Sequence, residues 1–203
     1  MKILGVCGSP RKGATEYALR QALEAAAAEG CETELILLRG KKIAPCCHCN
    51  LCLKDKTCVR CVAYKDDMMD LYDKFYDADG YILASPVYEM NVSPQICAFF
   101  SRFRPTWQLK TTAPDFFTNK LGAAMSVGMA RNGGQEKTND ALIAFLMTMG
   151  ITTISGPAGA YNGALLHAYD QYRAVETVME DTAGLENARA IARKMARMLL
   201  KKI

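Results

Sequence analysis

The chain has 203 residues, of which half are hydrophobic and 23% are charged, and its formal net charge is +4. This length suits one α/β domain with a sizeable core, and the composition excludes an intrinsically disordered protein. No apolar run approaches the roughly 20 residues of a membrane-spanning helix, and residues 1–7 lack the long apolar region of a signal peptide. We therefore predict a cytoplasmic protein. The basic residues near the C-terminus lie at helical spacing opposite an apolar face, which indicates a solvated helix surface and no contact with nucleic acid or membranes.

Apolar segments and helical patterns alternate along the chain, and Gly, Pro or Ser marks many of the boundaries. Buried strands are predicted at residues 2–8, 31–38, 80–86, 120–128 and 151–157. Helices are predicted at residues 16–29, 66–78, 93–103 and 135–149, and over residues 169–202 in two pieces separated at Gly184. Ser93 is the predicted N-cap of its helix and Pro94 its first residue. Residues 104–119 show no clear period, so we predict an irregular segment there.

This alternation predicts an α/β fold with a doubly wound five-stranded parallel sheet in the order 2-1-3-4-5. Residues 1–203 are predicted to form a single domain, with a cysteine-rich loop at about residues 40–62 inserted after the second strand. Ligands of such sheets bind beyond the carboxyl ends of the strands that flank the switch point. The loops after strands one, three and four therefore share the edge where a ligand is expected.

The loop after the first strand, GSPRKGAT at residues 8–15, suits a phosphate group. Ser9 and Thr15 offer hydroxyls, Arg11 and Lys12 offer positive charge, and Gly13 lets backbone amides face the ligand. The following helix adds the partial positive charge of its N-terminus. The stretch is neither a GxGxxG fingerprint nor a P-loop, which leaves a mononucleotide as the expected ligand.

The loops after strands three and four complete a pocket for such a nucleotide. SPVYEMN at residues 85–91 offers backbone groups for the edge of a heterocycle and Tyr88 or Met90 for its face. SVGMARNGGQE at residues 126–136 contains Gly128, which permits close backbone approach. The three loops together favour flavin mononucleotide (FMN).

The segment CCHCNLCLKDKTC, residues 46–58, holds five of the nine cysteines. A disulfide framework is disfavoured, because the count is odd and cytoplasmic thiols stay reduced. Zinc would use two CxxC pairs separated by eight residues, which is shorter than the roughly 12–20 of zinc ribbons and leaves Cys52 without a role. Steps of three residues followed by a later cysteine are typical of iron–sulfur ligation, with Cys61 as the alternative fourth ligand to Cys58. Zinc and reversibly oxidised thiols remain alternatives.

Four stretches carry a resemblance to flavodoxin-like, NADPH-dependent FMN reductases: GSPRKGAT, SPVYEMNVS, GMARNGGQE and DDMMDLYDKFYDADGYILASPVY. The cysteine loop narrows this resemblance to the iron–sulfur flavoproteins, whose CxxCxxCx5C motif is matched here by Cys46, Cys49, Cys52 and Cys58. The resemblance implies a flavodoxin-like fold, FMN, a [4Fe–4S] cluster held by those four cysteines, and assembly into homodimers or homotetramers that transfer electrons.

The same resemblance assigns further residues to the cofactor. It places five at the FMN phosphate loop: Ser9, Arg11, Lys12, Gly13 and Thr15. It places four at the isoalloxazine loop: Pro86, Val87, Tyr88 and Asn91. The sequence departs from the family pattern at Ala14, at Ser101, and at the crowded pair Cys47 and His48.

The two cofactors together predict an oxidoreductase that passes electrons between the cluster and FMN, with no catalytic side chain. The donor is expected to be ferredoxin or NAD(P)H, and the acceptor a small molecule such as oxygen, peroxide or a quinone. One alternative is an NAD(P)H-dependent FMN or quinone reductase whose cysteine loop is structural or holds zinc. A second alternative is a thiol redox sensor.

Because the cluster loop and FMN loops follow different strands, the cluster of one subunit is expected to approach the FMN of another. The candidate contact is the segment 104–119, with Trp107, Phe116 and Phe117. The remaining cysteines, Cys7, Cys31 and Cys97, are predicted to be buried apolar residues. His167 has no partner that the sequence identifies.

Overall fold

The computed structural model describes residues 1–201, so Lys202, the predicted end of the last helix, lies outside the described residues. The strands are β1 Lys2–Cys7, β2 Glu32–Leu37, β3 Gly80–Pro86, β4 Leu121–Gly128, β5 Thr152–Thr153 and β6 Ala164–His167. The helices are α1 Ala14–Ala28, α2 Met68–Asp77, α3 Pro94–Ser101, α4 Thr106–Thr112, α5 Gln135–Met149, α6 Ala174–Glu180 and α7 Thr182–Leu199. A single 3-10 turn, Leu51–Leu53, lies in the cysteine loop.

The strands form one parallel sheet in the order β2-β1-β3-β4-β5, which confirms the predicted order. β6 also pairs with β4, so two short strands share the fifth position instead of one continuous strand over residues 151–157. The chain leaves the sheet after β5 and returns at Gly163, where φ is 120°. A Cβ added to Gly163 would lie 2.2 Å from the carbonyl oxygen of Ala124, so this re-entry requires glycine.

Helices cover both faces of the sheet, as the alternating pattern predicts. α1, α6 and α7 bury their apolar faces against one side. α2, α3 and α5 cover the other side, where Phe75 packs with its ring centroid 4.5 Å from that of Tyr81 and 4.4 Å from that of Phe103. No helix within residues 1–201 combines the length and apolarity that crossing a bilayer requires.

Two helix predictions need correction. The segment 104–119 is not wholly irregular, because it contains α4, and Phe117 is buried in the core of its own chain instead of being available to another subunit. The last helical region breaks at Asp181, not at Gly184. Asp181 caps α7 by accepting a hydrogen bond from the backbone N–H of Gly184 at 3.0 Å, which places the glycine in the first turn of that helix.

The side-chain predictions outside the site are partly confirmed. Cys7 and Cys31 are buried as expected, but Cys97 is exposed, because Ile96 and Phe99 form the buried face of α3. His167 does have partners. Its Nε2 lies 2.9 Å from the carbonyl oxygen of Met129, and its backbone N–H donates to Asp181 at 2.8 Å.

Candidate functional site

A cavity of about 340 Å³ opens at the carboxyl edge of the sheet, within the roughly 300–1,000 Å³ of small-molecule sites. We call it the sheet-edge cavity. Eight of the ten residues that the sequence assigns to FMN line it: Ser9, Arg11, Gly13, Thr15, Pro86, Val87, Tyr88 and Gly128. Lys12 and Asn91 are not among its lining residues. The structure therefore brings together the three loops that the topology places on one edge.

The loop after β1 is held in shape by its own serine. Ser9 Oγ donates to the carbonyl oxygen of Arg11 at 2.7 Å and accepts from the Arg11 backbone N–H at 3.3 Å. Gly13 is the N-cap of α1, and no side chain of the described residues caps the first N–H groups of this helix. Those donors, together with the positive end of the helix dipole, make the entrance of α1 suited to a phosphate group.

A buried carboxylate also lies in the first turn of α1. Glu16 is 4% exposed and forms ion pairs with Arg20 at 2.8 Å and Arg39 at 3.0 Å. Burial alone would raise the pKa of Glu16, but the hydrogen bonds and charges of the two arginines outweigh it and the pKa is lowered. The two arginines neutralise a negative charge that would otherwise oppose an anion near this helix terminus.

The loop after β3 forms a tight hairpin at the mouth of the cavity. Tyr88 and Asn91 exchange two backbone hydrogen bonds of 2.8 Å, and Glu89 and Met90 between them both have positive φ. The side chain of Asn91 accepts from the backbone N–H of Val92 at 2.8 Å. Asn91 therefore closes the hairpin, whereas Tyr88 lines the cavity and is 42% exposed.

The loop after β4 is organised around one buried glutamine. Gln135 accepts from the backbone N–H of Gly133 at 2.9 Å and donates to the carbonyl oxygen of Ala130 at 2.6 Å. A Cβ added to Gly128 would lie 2.6 Å from Gln135 Nε2. Gly128 therefore lets the loop fold over the end of β4, where Met129 also lines the cavity.

The far wall of the sheet-edge cavity was missed by sequence reasoning. It consists of Ala168, Gln171 and Ala174, which follow β6. The only sequence signal is the short run ALLH after Gly163, which is too brief to identify as a strand.

A second cavity lies within the cysteine loop, and we call it the cysteine cavity. Five cysteines line it: Cys46, Cys47, Cys49, Cys52 and Cys61. In the part of the chain that the structure describes, the loop cysteines are all free thiols. Among residues 1–201, no three His, Cys, Asp or Glu side chains are placed so that they could hold a single metal ion.

Three of the four predicted cluster ligands thus share one cavity, and the fourth does not line it. Cys58 Sγ lies 2.9 Å from the carbonyl oxygen of Arg60, to which it donates. The pKa of Cys52 is raised, mainly by burial and to a smaller extent by the nearby charges of Cys58 and Cys61. Cys58 and Cys61 therefore both lie near Cys52, and the choice between them as fourth ligand stays a prediction.

Backbone turns make the cysteines converge. His48 and Asn50 both adopt left-handed conformations, with φ of 56° and 58°, between Cys46 and Cys52. Asn50 is held there by Arg104, whose Nε and Nη2 donate to its side-chain oxygen at 3.0 and 2.7 Å. Such conformations cost energy for non-glycine residues, so the neighbouring contacts must maintain them.

The end of α3, the residue that follows it and α4 anchor the loop. Ser101 Oγ accepts from the backbone N–H of Cys46 at 3.0 Å, and Gln108 Nε2 donates to the carbonyl oxygen of Leu53 at 3.0 Å. The side chain of Arg102 donates to the carbonyl oxygen of Ala44 at 2.9 Å. These anchors come from residues that lie far along the chain from the loop, and the sequence alone gave no indication of them.

Cys47 and His48, the crowded pair in the motif, are both exposed. A hydrogen bond with the Tyr64 hydroxyl is the largest of the causes that lower the pKa of the Cys47 thiol. His48 instead lines a third, apolar cavity of about 640 Å³, together with Cys46, Phe100 and Trp107. This third cavity lies between the cysteine loop and helices α3, α4 and α5.

Comparisons with known proteins identify the fold and the family. A family model described as NADPH-dependent FMN reductase matches residues 1–165. An iron–sulfur flavoprotein of Archaeoglobus fulgidus is 41% identical over 200 residues, which cover 98% of this chain and 97% of that protein.

Two solved structures support the flavodoxin-like fold. A flavone reductase superposes with a TM-score of 0.71 at 22% identity, covering 100% of this chain and 64% of that chain. The flavodoxin, WrbA-like protein of Agrobacterium tumefaciens superposes with a TM-score of 0.63 at 14% identity, covering 98% of each chain. The chain is therefore an FMN-dependent oxidoreductase that belongs to the NADPH-dependent FMN reductase family, and within it to the iron–sulfur flavoproteins.

Proposed function

We propose that the chain binds FMN in the sheet-edge cavity and a [4Fe–4S] cluster in the cysteine loop, and that it passes electrons between the two. The observation that carries this proposal is the clustering of Cys46, Cys49 and Cys52 around one cavity, apart from the loops that line the other. The name of the Archaeoglobus fulgidus relative, iron–sulfur flavoprotein, supports the presence of a flavin and an iron–sulfur group.

The residues of the sheet-edge cavity fit the parts of FMN. The uncapped N–H groups of α1, with Ser9, Arg11 and Thr15, would hold the phosphate. The backbone around Val87 and Gly128 would hold the isoalloxazine, and Tyr88 would lie against it. When bound, FMN supplies one- and two-electron chemistry, and the protein's part is to orient it and to limit its contact with water.

The donor set of the cysteine loop fits a cluster. Thiolates are the ligands of four-iron clusters, and Cys46, Cys49 and Cys52 all line the cysteine cavity. Zinc bound by the two CxxC pairs would leave Cys52 without a role. Cys46, Cys49 and Cys52 are the proposed ligands, with Cys58 as the fourth and Cys61 as its alternative.

We further propose that the cluster of one subunit approaches the FMN of another, in a homodimer or homotetramer. Two observations support this. The cysteine cavity and the sheet-edge cavity have no lining residue in common. The third cavity places Cys46 beside Trp107, which is 62% exposed, and so offers an apolar surface at the cysteine loop.

Anaerobic purification followed by iron, sulfide, zinc and flavin analysis tests the cofactor proposal. We expect about four iron and four sulfide per chain and a broad brown absorbance in addition to that of flavin. Cys49→Ser should abolish the iron signal and leave FMN bound, because Cys49 does not line the sheet-edge cavity. Cys97→Ser, an exposed cysteine outside the loop, is the matched control and should keep both cofactors. A parent protein without inorganic sulfide would refute the proposal.

A second candidate function is an NAD(P)H-dependent reductase with a structural or zinc-binding cysteine loop. The matching family model favours it, since its description names NADPH as the donor. The same metal analysis separates the two, because zinc without sulfide, together with rapid bleaching of the flavin by NADPH, would support the reductase.

Ferredoxin is the donor that we propose for the cluster-bearing protein, with oxygen, peroxide or a quinone as acceptor.

A further inference from the structure

Arg102 is a buried cation beside the proposed ligands. It is the C-cap residue of α3, its side chain is fully buried, and it lines the cysteine cavity together with Cys46, Cys52 and Cys61. Burial alone would lower the pKa of Arg102, but the hydrogen bond with Asp66 and the nearby negative charges outweigh burial and raise this pKa above its usual value. The side chain therefore stays charged. A cation is therefore held next to the thiols.

The ion pair uses only part of this guanidinium. Nη1 donates to Asp66 at 2.6 Å and to the carbonyl oxygen of Ala44 at 2.9 Å. Nε and Nη2 have no hydrogen-bond partner within the described part of the chain. The ring of Tyr64 covers one face at 4.8 Å, but N–H groups point outward in the guanidinium plane and the ring does not satisfy them.

Such unpaired donors need an explanation, because leaving a buried N–H without a hydrogen-bond partner is energetically unfavourable. Thiolate sulfur is the side-chain acceptor that several residues would supply around the same cavity. Hydrogen bonds to sulfur and nearby charge are two of the means by which a protein sets the reduction potential of an iron–sulfur cluster.

We propose that Arg102 is a positioning residue for the cluster, whose Nε and Nη2 donate to cluster or thiolate sulfur and whose charge stabilises the reduced form. This inference rests on the proposed function. Reduction adds one electron to the cluster and so increases its negative charge, which a neighbouring cation and N–H donors favour. Arg102 therefore raises the reduction potential.

Three variants separate this role from a structural one. Arg102→Met removes the charge and the donors while keeping an apolar side chain in the buried site. Arg102→Lys keeps a cation that can pair with Asp66 but lacks the planar set of donors. Arg60→Met is the matched control, because Arg60 also belongs to the cysteine loop but is partly exposed and pairs with the exposed Asp73.

The experiment is a dithionite titration of each anaerobic holoprotein, followed by electron paramagnetic resonance, after iron, sulfide and FMN have been measured. We expect Arg102→Met to shift the reduction equilibrium at least tenfold toward the oxidised cluster, which is 59 mV for one electron. Arg102→Lys should fall between Arg102→Met and the parent, and Arg60→Met should shift it less than threefold.

An Arg102→Met protein with full iron and a shift no larger than that of Arg60→Met overturns the assignment. If Arg102→Met does not fold, Arg102→Lys decides. A lysine variant with full iron and the potential of the parent overturns the assignment, and so does one that keeps FMN but loses iron, because that result shows only a structural anchor. A lysine variant with full iron and a lower reduction potential supports the assignment. A parent that lacks iron and sulfide refutes the proposed function itself, and so is distinguishable from a failure of this inference.

Discussion

The strongest structural prediction concerns Asp66, the carboxylate that ties the cysteine loop to α3. It accepts from Arg102 Nη1 at 2.6 Å and from the backbone N–H of Ala44 at 3.0 Å. The two charged side chains are 13% and 0% exposed. Breaking a buried pair by removing one partner costs about 3–5 kcal/mol. Asp66→Asn keeps one acceptor oxygen and some solvent contact, so we expect a destabilisation at the low end of this range, about 3 kcal/mol. This increases the equilibrium constant for local opening of the cysteine loop on the order of a hundredfold.

Hydrogen–deuterium exchange of the anaerobic protein measures this opening in peptides that cover residues 42–53. Asp67→Asn is the matched control, because the exposed Asp67 accepts from the backbone N–H of Lys42 at 2.6 Å without an arginine partner. We expect it to raise exchange no more than about fivefold, or about 1 kcal/mol. Equal effects of Asp66→Asn and Asp67→Asn would refute the reasoning that the buried ion pair holds the loop.

The pH dependence of this effect follows from the lowered pKa of Asp66. Burial alone would raise that pKa, but Arg102 outweighs it and holds the folded value below the ordinary one. The stabilisation is therefore complete above the unfolded pKa of about 3.9 and is lost as the pH falls through the lower folded value. The difference between parent and Asp66→Asn should stay constant from about pH 8 to pH 5.5. A difference that shrinks within that window would contradict a lowered pKa.

Three further predictions concern the sheet-edge cavity and the assembly. Gly128→Ala should lower the free energy of unfolding in urea by about 2 kcal/mol, because the added methyl group displaces Gln135 from two hydrogen bonds. In a Gln135→Ala background the same methyl group should destabilise the protein little, and an undiminished loss of stability would refute the clash. Glu16→Gln should lower the melting temperature above about pH 5, and this difference should shrink as the pH falls through the lowered folded pKa of Glu16, since the arginines stabilise its charged form. In mixed oligomers, the Arg11→Glu chain supplies the cluster and the Cys49→Ser chain supplies FMN, so the cluster should again reduce FMN, which neither variant achieves alone. No recovery would indicate electron transfer within one chain.

The sheet and the cavity at its edge were predictable because the signals for them are local. β1, β3 and β4 are largely apolar runs that end at, or directly before, Gly or Pro, and parallel strands place their following loops on one edge. β6 was not predictable in this way. It has four residues, and its pairing depends on the close approach of Gly163 to the carbonyl oxygen of Ala124, a contact across the sheet.

The cysteine loop also has some features that local sequence signals predict and others that depend on contacts with distant residues. The spacing of Cys46, Cys49 and Cys52 predicts that they face one cavity, because three-residue steps in a turning segment keep side chains on one side. The spacing does not decide between Cys58 and Cys61, whose orientation depends on turns and on contacts with other elements. α4 escaped prediction for a related reason, since its seven residues, TWQLKTT, have little periodicity and include three threonines.

Helix α3 connects the two sites mechanically. At its start, Ser93 Oγ donates to the carbonyl oxygen of Gly8 at 2.7 Å, and the backbone N–H of Ser93 donates to Ser85 Oγ at 3.0 Å. At its end, Ser101 accepts from the backbone N–H of Cys46 at 3.0 Å. The helix has eight residues, so about 12 Å separates these attachments. Because one short, largely apolar helix bonds to the loop after β1 at one end and to the cysteine loop at the other, displacement of either loop strains the anchor of the other. Within each chain, α3 therefore links the loop after β1, which lines the sheet-edge cavity, to the loop that carries the cysteines.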